Sequence, residues 1–477
     1  MLSFMRTNEP RGSREGVAPD EASGPRSRLE ERVVDAVRQS RDELVALAAE
    51  LIACDTTVRS ESDPAREEER LQRILERRLR AAGAQTELWQ PEPIGADNPL
   101  GIPPGLDFDG RPQLVGAIAG AGRGPSLLLN GHIDAVETGD RAAWRCDPFR
   151  AEVHGDRLYG RGSADMKGGL ASLVAAIEAL QRQGVRLAGD LVFCSNTDEE
   201  SSGAGGWAAV DHGVAAAAGV CAEPTGLDLW IACRGVATGI MRVPGRAGHA
   251  ELPQSDWRQG GAVNAIEKAA PLIASFERLR EAWRTRADHQ HALLSPGGIQ
   301  PTMVAGGSWS ATYPAWCDVA CDIEYLPAAV SGGDLGAVQR EVAAWVDEVA
   351  RHDPWLATHR PYWTWIGNCP PAEVAADHGI VTAVAAAARS VGRSGRCAGL
   401  DSWHDAATFT VLGGTPTIAF GPGELAIAHA VDEHVPIDDL VDHAAAAALA
   451  AMHWCGVAAG PPSRGRRPRV EIPVPEP

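Results

Sequence analysis

Apolar residues recur at three- and four-residue spacing from Leu29 to about Ala82: Val33, Val37, Leu44 and Leu47, then Leu71, Ile74, Leu75 and Leu79. That is the period of amphipathic helix, and Gly83 is its stop. Beyond it, short apolar runs alternate with helical patterns. Residues 126–130 predict a buried strand ending at Gly131, and 168–183 a helix rich in Ala, Leu and Ile. Residues 190–195, 220–222 and 227–233 predict three more strands. Strands alternating with helices imply an α/β fold with a central, mainly parallel sheet.

The middle of the chain reads differently. Residues 237–243 predict a strand, 262–279 a helix with Pro271 inside it, and 302–305 and 316–326 two strands. A helix at 335–349 and a strand at 361–366 follow. The order β-α-β-β-α-β is the split arrangement of a ferredoxin-like α+β unit. The α/β pattern then resumes with a helix at 377–391, a strand at 416–420 and a helix at 437–452. We therefore expect a disordered leader at 1–28 and a larger α/β domain made of 29–231 and 368–457. A smaller domain is inserted at 232–367, and a disordered Pro-rich tail occupies 458–477.

Length agrees with this division, because 477 residues exceed what one core usually serves. Apolar residues at 44% and charged residues at 22% describe an ordinary globular protein. The 63 acidic residues outnumber the 44 Lys and Arg, giving a net charge of −19. That charge opposes binding to nucleic acid or to an anionic membrane surface. No apolar run approaches the ~18 residues of a membrane span. The leader lacks the apolar stretch of a secretory signal, which predicts a cytoplasmic protein. The ten cysteines include no C-x-x-C pair and read as reduced thiols.

Chemistry-bearing residues stand at the ends of the predicted strands. Gly131-His132-Ile133-Asp134 follows the first, offering an imidazole and a carboxylate able to hold its other ring nitrogen. The glycine-rich stretch 160–169 places Asp165 just before a helix, as a cap or as a ligand; it lacks the pattern of a phosphate loop. Asp198-Glu199-Glu200, Glu223-Pro224-Thr225 and Ala428-His429-Ala430-Val431-Asp432-Glu433 end later strands. Singly, each fits a turn, a cap or a solvated surface run. Together they bring two His and several carboxylates to the carboxyl edge of an open α/β sheet, where such folds bind ligands. Mixed His and carboxylate donors suit zinc, cobalt or manganese, and a shared carboxylate suits a two-metal site.

In this order the motifs resemble those of the acetylornithine deacetylase, succinyl-diaminopimelate desuccinylase, aminoacylase and glutamate carboxypeptidase family of dinuclear metallohydrolases, from about residue 40 to 457. Trp144, Pro148-Phe149 and 245–249 join the match. The resemblance implies that Asp165 bridges two divalent ions, Zn2+ or Co2+. It implies that His132 and Glu223 complete one ion, and Glu200 and His429 the other. Glu199 is then the general base, and Asp134 the acid that orients His132. The inserted unit becomes a lid and dimerisation domain, and His249 reaches into the partner subunit's site to stabilise an oxyanion. The implied activity is removal of an N-acyl group (acetyl, succinyl or formyl) from an amino acid or related small amine. An exopeptidase on the same site is the alternative. So is a silent binding protein, against which stands the retention of all five ligands and Glu199.

One departure bears on substrate. Where many relatives carry a lid Arg before a Pro, to bind the substrate carboxylate, this chain has Glu324, in Asp322-Ile323-Glu324-Tyr325-Leu326-Pro327. Arg234 and Arg246 are candidate replacements, or solvated surface arginines. Asn264, Asp401 and Gly421 are further candidate substrate contacts. Trp403 and His404, in the loop at 400–405, either line the pocket or pack beneath that loop.

Overall fold

A computed structural model describes residues 26–58, 66–330 and 333–458. Of the expected leader only the last three residues fall within it, and of the expected tail only the first. The N-terminal helical stretch forms three helices, Arg28–Gln39, Arg41–Ile52 and Glu68–Ala81. The first starts where the Ser27 side chain and the Glu30 carboxylate cap each other's backbone N–H.

The larger sheet has nine strands. Its middle, Leu191–Asn196, Leu127–His132, Ala218–Cys221 and Thr417–Ala419, is parallel. Its flanks, Gln85–Trp89 with Gln113–Ile118 on one side and Leu229–Cys233 with Ala372–Glu373 on the other, pair antiparallel. Cys397–Leu400 adds a parallel strand beside Leu229–Cys233. Both faces are covered. Lys167–Arg182 and Ile437–Cys455 pack on one, in the main core with Leu127 and Leu129. Ala204–Asp211 and Ala406–Val411 cover the other, where Leu128 meets Phe409. This double covering explains why the middle strands read as unbroken apolar runs.

The second sheet has four strands in the order Gly298–Gly306, Trp316–Tyr325, Gly235–Pro244, Tyr362–Cys369, all antiparallel. Helices Ala265–Thr285 and Ala337–Ala350 share its core. Strand Gly235–Pro244 alternates buried and half-buried positions, as a sheet covered on one face must. Gly239 leaves room for the parallel Trp363 and Trp365 rings, with centroids 4.9 Å apart; a Cβ there would meet Trp365 at 2.6 Å. Pro271 does not end its helix. It lies on the exposed side, where the carbonyl it cannot bond is open to water. The chain passes from the large sheet to the small one at Arg234 and returns at Pro370-Pro371.

One buried residue of the last helix gives a stability prediction. His443 is fully buried against the Phe420 ring, and burial pushes its pKa down to about 3. Unfolded, the imidazole gains a proton below ~6.5 that the folded protein refuses. Its contribution is therefore complete above that pH and is lost progressively below it. Between pH 8 and pH 5 the loss is about 2 kcal/mol. Urea unfolding of His443→Leu at both pH values should show that much less pH dependence than the parent; identical pH dependence would contradict the assignment.

Candidate metal centre and active site

Three of the parallel strands, Leu127–His132, Leu191–Asn196 and Ala218–Cys221, deliver polar residues to one edge. His132 is the last residue of Leu127–His132 and is 1% exposed. Gly131 before it admits the following helix closely: a Cβ there would meet Met166 and Leu170 side-chain atoms at 2.8 Å. The His132 Nδ1 lies 3.0 Å from the Asp134 carbonyl and 3.6 Å from the Asp134 carboxylate. That carboxylate accepts from the backbone N–H of Glu199 at 3.2 Å and of Glu200 at 3.1 Å. Asp134 thus ties the end of one strand to the acidic loop after the next.

Asp165 stands between two imidazoles. Its Oδ1 is 3.0 Å from His132 Nε2, and its Oδ2 is 3.4 Å from His429 Nε2. His429 Nε2 is also 3.1 Å from Glu200 Oε2. His132, Asp165 and Glu200 each bring a donor atom within 4.8 Å of the others. Glu199 and Glu223 line the same cavity of about 550 Å3.

The loop carrying Asp165 is fixed by Glu433. This buried carboxylate accepts from Arg161 Nη1 at 2.7 Å and from the N–H groups of Gly162 at 2.9 Å, Ala164 at 2.8 Å and Asp165 at 3.0 Å. One site residue and two neighbours hold left-handed backbone: His429 at φ 60, Asp198 at φ 60 and Asp432 at φ 63. Such strain persists only where contacts impose it. Arg111 supplies one such contact, donating to Asp198 at 2.8 Å and to Glu68 at 3.0 Å. Arg145 supplies another, through its N–H to Asp432 at 2.8 Å.

Electrostatics set these groups apart. Burial pushes the Glu199 carboxyl well above the usual carboxylate range and raises Glu200 as well. Burial also takes Glu223 up to about 8 and Asp405 up to about 7. Burial opposes charge on Asp165 too, but the bonds from His132 and His429 outweigh it and hold that carboxyl low. The bonds to Asp165 and Glu200 lift His429 to about 10. Glu200 Oε1 is buried and has no partner among the described residues. An orphaned oxygen among crowded carboxylates and two imidazoles is the donor set of a divalent cation, and it fits one.

The other expected contacts lie elsewhere. Arg234 turns its guanidinium to the Asp401 carbonyl, at 3.0 Å from Nε, and to the Pro296 carbonyl at 3.4 Å. The Asp401 carboxylate accepts from the Ser295 N–H and hydroxyl. Asn264 caps its helix, accepting from Ile266 N–H at 3.0 Å. Gly421 lets the chain pass close to strand 218–221: a Cβ there would stand 2.4 Å from the Glu223 carbonyl oxygen. None of the four is among the residues lining the cavity. His249 is exposed, on the short strand Gly248–His249, and is also outside it. Trp230 and Ile366 gave no signal in the sequence, and Asp405 gave none beyond its place in the loop at 400–405. The first two line the cavity from different sheets, and Asp405, buried, accepts from the Asn196 amide.

The chain matches the model of Peptidase family M20/M25/M40 over residues 128–453. It is 27% identical over 437 residues to the N-formyl-4-amino-5-aminomethyl-2-methylpyrimidine deformylase of Bacillus subtilis (strain 168), covering 88% of this chain and 96% of that one. It is 30% identical over 334 residues to the succinyl-diaminopimelate desuccinylase of Stenotrophomonas maltophilia (strain K279a), covering 66% of this chain and 80% of that one. Its fold is similar to that of a dinuclear metal-binding peptidase from Bacillus subtilis, with a TM-score of 0.58 at 14% identity, covering 87% and 99% of the two chains. With motif order, sheet topology and these matches in agreement, the chain belongs to peptidase family M20/M25/M40.

Proposed function

We propose that this protein is a metal-dependent amidohydrolase that removes the acyl group from an N-acylated small amine. The observation that carries this reading is the cluster of buried His132 and Asp165 with half-buried Glu200, closed by exposed His429, with Glu199 lining the same cavity. Two divalent ions, zinc first among them, fit the donors: His132 and Glu223 would hold one, Glu200 and His429 the other, and Asp165 would serve both. Bound there, the metal supplies Lewis acidity and a water of lowered pKa.

The protein's own residues do the rest. A Glu199 carboxylate oxygen takes a proton from the attacking water and passes it to the departing amine nitrogen. Asp134 fixes Glu199 and Glu200 through their backbone N–H groups, so the base keeps its place while the neighbouring acid serves as ligand. His249, exposed and away from the cavity of its own chain, suits a role across a homodimer interface, stabilising the oxyanion in its partner's site. The edge strand Gly298–Gly306, with Met303 71% and Val304 57% exposed, is a surface such a dimer would cover. A reducing compartment, the cytoplasm, is consistent with ten free cysteines; no described helix is long and apolar enough to cross a membrane.

The similarity to a deformylase over 96% of that enzyme makes formyl the first acyl group to test. Amine release from N-formyl, N-acetyl and N-succinyl amines, with dipeptides alongside, tests the reading in the presence of Zn2+ or Co2+ and again with chelator. Chelator-sensitive cleavage of the N-acyl compounds is the expected result; cleavage of dipeptides alone would replace it with an exopeptidase.

A further inference from the structure

Near the candidate metal centre, three strands of the large sheet carry polar side chains inside an otherwise apolar layer. Asn130 follows Leu127-Leu128-Leu129 and is fully buried. So are Asn196 on the neighbouring strand to one side and Cys221 on the strand to the other. Their side chains form one line of bonds across the sheet. The Cys221 thiol donates to Asn130 Oδ1 at 3.2 Å. Asn130 Nδ2 donates to Asn196 Oδ1 at 2.8 Å, and Asn196 Nδ2 donates to the Asp405 carboxylate. Asp405 is fully buried too, and Gly206 admits it closely: a Cβ there would stand 2.3 Å from Asp405 Oδ1.

Each member of this line stands just before a residue of the site. Asn130 is two residues before His132 on the same strand, and side chains two apart share a face. Cys221 is two residues before Glu223, and its sulfur lies 3.7 Å from Glu223 Oε1. Asn196 ends its strand three residues before Glu199. Asp405 closes the loop whose Ser402, Trp403 and His404 line the cavity. A buried amide costs free energy that Leu or Val in its place would not. Paired with one another, the two amides fix how the strands sit, because a slip of one residue turns them to opposite faces and breaks the line. The spacing so fixed is that of the strand ends carrying the candidate donors.

We propose that Asn130, Asn196 and Asp405 are positioning residues of the metal centre. They hold His132, Glu223 and the Glu199-Glu200 pair at one spacing and seat the 402–404 wall of the cavity on the same frame. In that role they touch neither metal nor substrate and act through the strands and the loop that carry them. This rests on the metal-dependent reading, since it names what keeps the donors of that centre in place.

The test uses the full chain and two variants. Asn196→Leu keeps the volume and cuts the line at its middle. Its affinity for Zn2+, read by competition with a chromophoric chelator, should fall about 10- to 100-fold. The visible absorption of its Co2+-loaded form should change as well, because that spectrum reports the arrangement of the donors. The exchange Asn196→Asp with Asp405→Asn restores the bonds: the carboxylate at 196 accepts from Asn130 and from the amide at 405. Its Zn2+ affinity should lie within about fivefold of the parent, with the parent's Co2+ spectrum. A support for folding alone would lower stability in Asn196→Leu and leave both metal readouts unchanged, and that result overturns the proposal. So does an exchange variant that folds but binds Zn2+ as weakly as Asn196→Leu. Where Asn196→Leu does not fold, the exchange variant decides: parental metal readouts support the proposal and weakened binding overturns it. A parent that binds neither Zn2+ nor Co2+ overturns the metal-dependent reading and this role with it, whatever the variants do to urea unfolding.

Discussion

Glu199→Gln should retain its metal ions and lose activity by about 10²- to 10⁴-fold, the range general acid–base catalysis contributes. The amide has the shape of the carboxylate but can neither take the proton of the attacking water nor hand it to the leaving nitrogen. The substitution also removes one of several crowded, buried acids, so the metal-free variant should be no less stable than the parent. Burial already holds this carboxyl well above its usual range. The prediction thus has two parts: turnover collapses, while metal content and thermal stability do not. Metal analysis beside steady-state kinetics would decide it. Activity within tenfold of the parent would remove Glu199 from the role of base, and loss of metal would make it a ligand.

The second large effect belongs to a residue that touches neither metal nor substrate. Glu433→Ala should destabilise the protein by about 3–5 kcal/mol, because it leaves the Arg161 guanidinium buried and unpaired. Arg161 is 1% exposed, and its remaining bond runs to the Glu137 carbonyl at 3.0 Å. Three backbone N–H groups would lose their acceptor as well, including that of Asp165. Metal affinity should therefore fall about 10- to 100-fold, as when a ligand's supporting contact is cut. Urea unfolding and metal titration measure the two effects separately. In Glu433→Leu with Arg161→Met, part of the stability should return without the metal affinity, since no charge is left stranded but nothing holds the Asp165 loop. Full return of affinity in that double variant would show that Glu433 does not position Asp165.

The candidate ligands were legible because they interrupt apolar runs. His132, Glu199-Glu200, Glu223 and His429 each follow a run too apolar for a surface strand, and the glycines around Asp165 mark a tight turn. A polar residue at the end of a buried strand has few structural uses, so several such places in order carry information that none carries singly. The β-α-β-β-α-β order was legible for a similar reason, since helix and strand periods differ and the switch between them is local.

Flanking strands were not. Gln85–Trp89 and Gln113–Ile118 were absent from the reading, being short and, in the first case, only half-buried, with no alternation long enough to register. The supports of the site were hidden too. Arg111 and Asp198 are 87 positions apart, Asn196 and Asp405 are 209, and Arg161 and Glu433 are 272. Arg234 shows the same limit from the other side: its residue type suited a carboxylate-binding role, and only the folded chain turned it toward the Asp401 carbonyl.

Sequence alone therefore determined the layer architecture and brought forward the candidate donor residues, because periodicity and strand-end polarity are properties of neighbouring residues. Tertiary structure decided which carboxylates are buried without a cation, which arginines are already engaged, and that Trp230, Ile366 and Trp403 share one cavity wall. These depend on which strands pair and how closely helices approach them, through contacts between residues that the chain holds far apart until it folds.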